Sequence, residues 1–182
     1  MTESTSVLNT PVLWVNTYLK EKIEEFAELG PVPFFPTSPS TINDLTETFP
    51  SGPDAGGVFC VFDRMFRMRR GAFPHIKCEQ ILYYFYGVVG QGPIKMIKIQ
   101  EAVLRLMDRG DETAEDINTW ARTHAPIDGM TCKFYFHNFK IYQLEEARDI
   151  VDFGTARTYA GNKIIIDYDY HQSQDIIDSV IA

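Results

Sequence analysis

The chain has 182 residues, 45% of them hydrophobic and 23% charged, and a formal net charge of −8. That length supports one domain with a real core, and the composition fits neither a disordered chain nor a membrane protein. No apolar run approaches the roughly 20 residues of a membrane-spanning helix, and so acidic a chain is a poor match for tight wrapping of nucleic acid, which needs a basic surface to neutralise phosphates.

Residues 1–9 are polar and carry no basic segment followed by an apolar core, so they are not read as a signal peptide. Thr10 before Pro11 makes a helix start, because a hydroxyl can cap the first turn and proline suits the first helical position. Val12, Val15, Leu19, Ile23 and Phe26 then recur at spacings of three and four, which predicts a helix with one buried face. Glu21, Glu24 and Glu25 fall on its wet side, and Gly30-Pro31 ends it.

Residues 30–57 hold six of the ten prolines and no periodicity, so they read as a long extended loop. Phe34, Phe35, Ile42, Leu45 and Phe49 are too apolar for a plain linker. The loop either packs on its own domain or lies across a neighbouring subunit or inside a channel. Gly57–Met68 is the first long strand, residues 69–74 a turn, and His75–Tyr86 the second strand, the two forming a long β-hairpin. The second strand has bulky groups on both faces and is expected to be central. Arg64, Arg67, Arg69 and Arg70 make the hairpin tip basic. They are either solvated charges or, since guanidinium groups bind carboxylates and phosphates in planar pairs, a docking site on an acidic partner.

Ile94–Arg109 is a helix with the stripe Met96, Ile99, Val103 and Leu106, and Ala102 permits close approach to a sheet. Gly110 separates it from a second helix, Asp111–Thr123, where Thr113 and Asp116 stand at capping-box spacing. Met130–Leu144 is a third, aromatic strand, Glu145–Asp149 a charged interruption, and residues 160–163 carry turn residues. From Lys163 to His171 the pattern alternates. Ile164, Ile166, Tyr168 and Tyr170 point to a dry face, and Asp167, Asp169 and His171 to a wet, acidic one. Residues 172–182 read as a short helix or an arm on a neighbour. The expectation is one α+β domain over residues 1–182, a mainly antiparallel sheet with helices packed on one face.

Chemistry-bearing residues are few. His75, Cys78, Cys132 and His137 offer the ligand types zinc favours, which would make a small metal-dependent enzyme, but buried reduced thiols and ordinary strand histidines are commoner. No helix N-terminus or oxyanion-type glycine loop accompanies Cys60, Cys78 or Cys132 to activate a nucleophile. Three cysteines in apolar strands read as reduced thiols made in a cytosolic compartment. The glycines of residues 87–92 lack the spacing of a phosphate loop. Asp167 and Asp169 share a strand face and read as solvated acids. No catalytic, cofactor or metal site is assigned, and no enzymatic function is expected.

Two stretches, FPHIKCEQILYYFY at 73–86 and FGTARTYAGNKIIIDYDYH at 153–171, resemble the neck and tail-terminator (tail-completion) proteins of tailed bacteriophages, and the order of elements is similar over most of residues 10–171. The resemblance implies a structural virion protein made in the host cytoplasm, a homo-oligomeric ring, six-fold in symmetry, at the head-proximal end of the tail. Such a ring caps the tail tube or sheath and meets the head connector, while genomic DNA passes through the lumen without sequence-specific binding. A head–tail connector adaptor or a baseplate component is the alternative within the virion. A net acidic protein suits a lumen that must let DNA slide rather than stick. Arg64, Arg67, Arg69, Arg70, Phe34 and Phe35 are the candidate interface residues.

Overall fold

A computed structural model of the chain describes residues 8–26, 29, 32, 34–35, 56–61, 67–68, 76–88, 93–152 and 158–172. The described elements are helix α1 (Pro11–Glu24), strands β1 (Phe34–Phe35), β2 (Gly56–Val61), β3 (Arg67–Met68) and β4 (Lys77–Val88), helices α2 (Pro93–Met107) and α3 (Asp111–Thr123), and strands β5 (Phe134–Asp152) and β6 (Thr158–Gln172). The architecture is α+β.

The sheet is built on three antiparallel strands, β4, β6 and β5, with β6 in the middle. Pairing of β4 with β6 is continuous from Lys77 opposite Tyr170 to Val88 opposite Tyr159. β2 adds antiparallel to β4 on the other side, with Phe59 opposite Tyr84, and β1 adds parallel to β2. β3 pairs with the start of β4. The order is therefore β1-β2-β4-β6-β5, with β3 beside one end of β4.

One face of this sheet is the core. Ile81, Tyr83 and Phe85 of β4, Ile164, Ile166 and Tyr168 of β6 and Phe136 and Phe139 of β5 are buried in one cluster with the buried side chains of all three helices. Alternation in the strands and 3.6-residue periodicity in the helices produce this, since each element turns one apolar set inward. In α1 the Thr10 hydroxyl accepts from the Leu13 amide at 3.4 Å with Pro11 in the first turn. Its buried face is wider than the expected stripe and includes Trp14, Asn16 and Tyr18. Asn16 accepts a hydrogen bond from the Tyr83 hydroxyl at 2.7 Å, fixing the helix over β4.

Three local expectations need correction. Thr113 does not cap α3. Its hydroxyl donates to the Leu106 carbonyl at 2.9 Å and accepts from the Arg109 amide at 3.3 Å, closing the end of α2, while Gly110 at φ +59° occupies the cap position of α3. A positive φ suits glycine, and it reverses the chain between two helices only a few residues apart. Asp116 instead holds the Arg109 guanidinium. Second, β5 does not stop at Leu144 but runs through Glu145–Asp149 to Asp152. Third, residues 160–163 are not a turn but part of β6, with Gly161 opposite both Tyr86 and Ala147.

β5 is an outer strand, and it is irregular. Its register against β6 shifts between His137 and Lys140, between Ile141 and Gln143, and between Ala147 and Val151. At the first shift Asn138 takes φ +48°, a conformation asparagine tolerates better than most residues. One extra residue there lets His137 stay on the outer face and Phe139 return to the core. The free edge of β5 at Phe136 is closed by α3. The Asn118 amide donates to the Phe136 carbonyl at 2.9 Å and accepts from the Phe136 amide at 2.8 Å, so one side chain replaces the missing neighbouring strand.

Candidate functional site

The sheet register brings several of the chemistry-bearing residues into one cross-strand row. Arg67 of β3 stands opposite Cys78 of β4, Cys78 opposite Asp169 of β6, and Asp169 opposite His137 of β5. Cys78, Asp169 and His137 lie on the face opposite the core, because the neighbouring Glu79 and Tyr168 turn inward. Directly opposed residues of an antiparallel pair share a face.

The described centre of this face is the β5–β6 end. His137 Nε2 and His171 Nδ1 are 2.8 Å apart, with the rings nearly parallel at 26°. They are diagonal neighbours, since His137 faces Asp169 and His171 faces Tyr135. The Tyr135 ring stacks on His171 at 5.3 Å between centroids, and the Arg122 guanidinium of α3 lies 5.5 Å from the Tyr135 centroid. Asp169 is not the solvated acid expected. It is 2% exposed, and its carboxylate accepts from the Asn138 amide at 2.9 Å. Asp167 accepts from Gln80 at 2.7 Å across the sheet. The bulge therefore does two things at once: it keeps His137 on the outer face, and it supplies the donor that satisfies the neighbouring buried carboxylate.

Burial pushes the His137 imidazole below its ordinary value, outweighing the pull of Asp169 and Asp111 towards the charged form. One of the two facing nitrogens must donate and the other accept, so both cannot hold a proton there. With a folded value below that of the unfolded chain, the unfolded state binds more protons under about pH 6.5. Stability from this pair is complete above that pH and is lost as the pH falls through the lower folded value. Melting temperatures measured from pH 7.5 to 5.0 should fall more steeply for the native chain than for His137→Asn. Parallel profiles would show that the pair carries no proton linkage.

A second constellation joins α1 to the end of α3. Trp14, Tyr18, Trp120 and His124 pack edge to face, and Glu21 clasps them by accepting from Trp120 Nε1 at 2.9 Å and bonding His124 Nε2 at 2.8 Å. The other ring nitrogen of His124 meets the Ala125 carbonyl at 2.6 Å. Burial works against ionisation of Glu21, but the hydrogen bonds from His124 and Trp120 outweigh it and hold the carboxyl below its ordinary value. Glu21 thus belongs to a structural clasp, not to the wet face alone.

The proposed zinc ligands do not come together. Cys132 packs against the core cluster and its thiol approaches the Phe134 carbonyl at 3.6 Å, with burial pushing its pKa up. Cys78 and His137 belong to the outer-face row, two strands apart, and His75 lies outside the described residues. Cys78 and Cys132 form no disulfide. Among the described residues no group of three or more His, Cys, Asp or Glu could hold a metal ion.

Of the interface candidates, Arg64, Arg69 and Arg70 lie outside the described residues, as does most of the 30–57 loop and the 173–182 segment. Arg67 is placed by its backbone at the β3 end of the row, and Phe34 and Phe35 form β1 beside Val58 and Phe59. The His137–His171 contact and the buried Asp169 were not anticipated, because a register slip on β5 decides which residues meet. No helix among the described residues is long and apolar enough to cross a membrane. No protein-family model matches the chain and no curated protein sequence matches it significantly, so the site is read from its own geometry.

Proposed function

We propose that the chain is a structural virion subunit of the tail-terminator or neck-ring kind, which caps the tail tube or sheath and offers a surface to the head connector while DNA passes through the ring. One observation supports this reading above the others. The two stretches that resemble that family, residues 73–86 and 153–171, supply β4 and β6, which pair side by side along the middle of the sheet. The resemblance thus follows the framework of the domain rather than scattered surface positions. On this reading the chain works by assembly and not by catalysis. β2 and β3 both pair antiparallel with β4, as the expected long hairpin requires, and the basic end of that hairpin, with Arg64, Arg67, Arg69 and Arg70, meets a neighbouring subunit or an acidic tail component. Phe34 and Phe35 of β1, on the same side of β4 as β3, serve a second contact.

The test is the mass of the purified protein against concentration by light scattering, with negative-stain images of the same samples. Rings of identical subunits are expected as concentration rises. The double charge reversal Arg67→Glu/Arg69→Glu should keep the native circular dichroism and melting temperature while shifting the equilibrium at least tenfold towards the 20.8 kDa chain. A single mass at every concentration, the same for both proteins, would overturn the reading.

A further inference from the structure

We propose that His137 and His171 form a two-histidine binding site for a borderline divalent transition-metal ion, with nickel(II), copper(II) and zinc(II) as the chemical class, at the β5–β6 end of the outer sheet face. This inference goes beyond the assembly reading and does not depend on it.

The geometry carries it. His137 Nε2 and His171 Nδ1 stand 2.8 Å apart. Two imidazole nitrogens bound to one ion at about 2.0–2.1 Å, in adjacent positions at a right angle, are about 2.9 Å apart. The separation that now fits one shared proton therefore also fits one ion. The rings are 26° from parallel, and to chelate one ion both nitrogens swing off the line that joins them, by rotation about χ1 and χ2, until their lone pairs meet at a common point beside the contact. The two residues are held by the backbone ladder rather than by a loop, because His137 is paired with Asp169 and His171 with Tyr135. That rigidity keeps the nitrogens close before any ion arrives.

The surroundings fit a cation. Asp169 follows His137 across the ladder and precedes His171 by two residues, so a carboxylate is beside the pair. It is buried and oriented by the Asn138 amide at 2.9 Å. Its negative charge favours the cationic state of the neighbouring His137 and equally favours a bound cation. Burial keeps His137 in the neutral form that coordinates. The nearby cations are Arg122, 5.5 Å from the Tyr135 centroid, and Lys140, opposite Asp167 in the next row of the ladder. With two protein nitrogens, the remaining positions are open to water, which sets this site apart from a closed structural zinc site.

Binding rearranges the proton that the pair shares. The neutral pair gives up its nitrogen-to-nitrogen hydrogen bond, the bridging proton moves to the outward nitrogen of its ring, and the two lone pairs bond the metal. Any imidazolium present must first release its proton to solvent, so affinity falls with pH.

The experiment is calorimetric titration of the tag-free full chain with nickel(II) chloride at pH 7.5, with copper(II) electron paramagnetic resonance as a second readout. One ion per chain is expected, with nitrogen hyperfine structure in the copper spectrum. His137→Gln and His171→Gln should each weaken binding at least tenfold, whereas His124→Gln should not, and native binding should weaken by a similar factor at pH 5.5. Circular dichroism of each variant establishes that it remains folded. Absence of binding up to millimolar nickel, or binding that survives both substitutions in folded protein, would overturn the proposal.

Discussion

Replacing Asn118 by alanine is expected to destabilise the protein by about 2–4 kcal/mol, the largest effect of any single polar side chain on the helices. The reason is where its amide ends. Asn118 is buried on α3, and both its hydrogen bonds go to the backbone of Phe136, which is buried on the outer strand β5. Truncation leaves an amide and a carbonyl without a strand neighbour and out of reach of bulk water, and each such group costs about 1–3 kcal/mol. For a chain of this size that corresponds to a fall in melting temperature of about 4–16 °C. Asn118→Asp is expected to be at least as harmful, because a carboxylate still accepts from the Phe136 amide but now faces the Phe136 carbonyl without a proton to donate. Thermal denaturation of the two variants checks this. A shift below about 1 °C for the alanine variant would mean that α3 does not seal the edge.

The second large effect is expected at Glu79. This carboxylate turns into the core at 4% exposure and takes one tyrosine hydroxyl on each oxygen: Tyr168 at 2.5 Å and Tyr170 at 3.1 Å. Burial, and after it the charge of Glu79, raises the Tyr168 pKa far above its ordinary value, so the hydroxyl stays protonated and donates. Glu79→Leu removes the acceptor from both hydroxyls and should cost about 2–5 kcal/mol. The triple variant Glu79→Leu/Tyr168→Phe/Tyr170→Phe removes donors and acceptor together and should recover most of that loss, since a buried polar group is costly mainly when its partner is taken away. Urea midpoints of the single and triple variants, at unchanged m-value, give the comparison. A triple variant no more stable than Glu79→Leu would show that packing around the side chain, not the hydrogen bonds, sets the cost.

The elements whose ends carry their own chemistry were legible in the sequence. Thr10 and Pro11 start α1 where expected, and α3 spans Asp111–Thr123 as its apolar positions imply. Ile164, Ile166, Tyr168 and Tyr170 all turn to the core, as strict alternation requires. What alternation does not reveal is the environment of the opposite face. Asp169 has the expected side but not the expected exposure, because the amide that meets it belongs to a bulge 31 residues away. Glu79 and Asn118 were passed over for a related reason. A polar residue inside an apolar pattern is interpretable only once its partners, on another strand or helix, are known. The extension of β5 through Glu145–Asp149 was hidden by its charges, although charged residues are common on outer strands, where they discourage pairing with other chains. Thr113 shows a different ambiguity. Where two helices are joined this tightly, one hydroxyl can serve the end of the first or the start of the second, and spacing alone does not choose.

The treatment of the β5 edge restricts how copies of this chain could join. Asn118 occupies the edge at Phe136, and three register shifts interrupt it further along. Head-to-tail addition of sheets requires two receptive edges on every copy, and among the described residues the β1 side is the one without such interruptions. Pairing through that side is necessarily two-fold, like edge on like edge, and ends with a dimer. Among the described residues, strand addition through both edges of the sheet is thus disfavoured, and a cyclic assembly larger than two is better made by side-chain surfaces of unlike shape than by a continuous β-sheet.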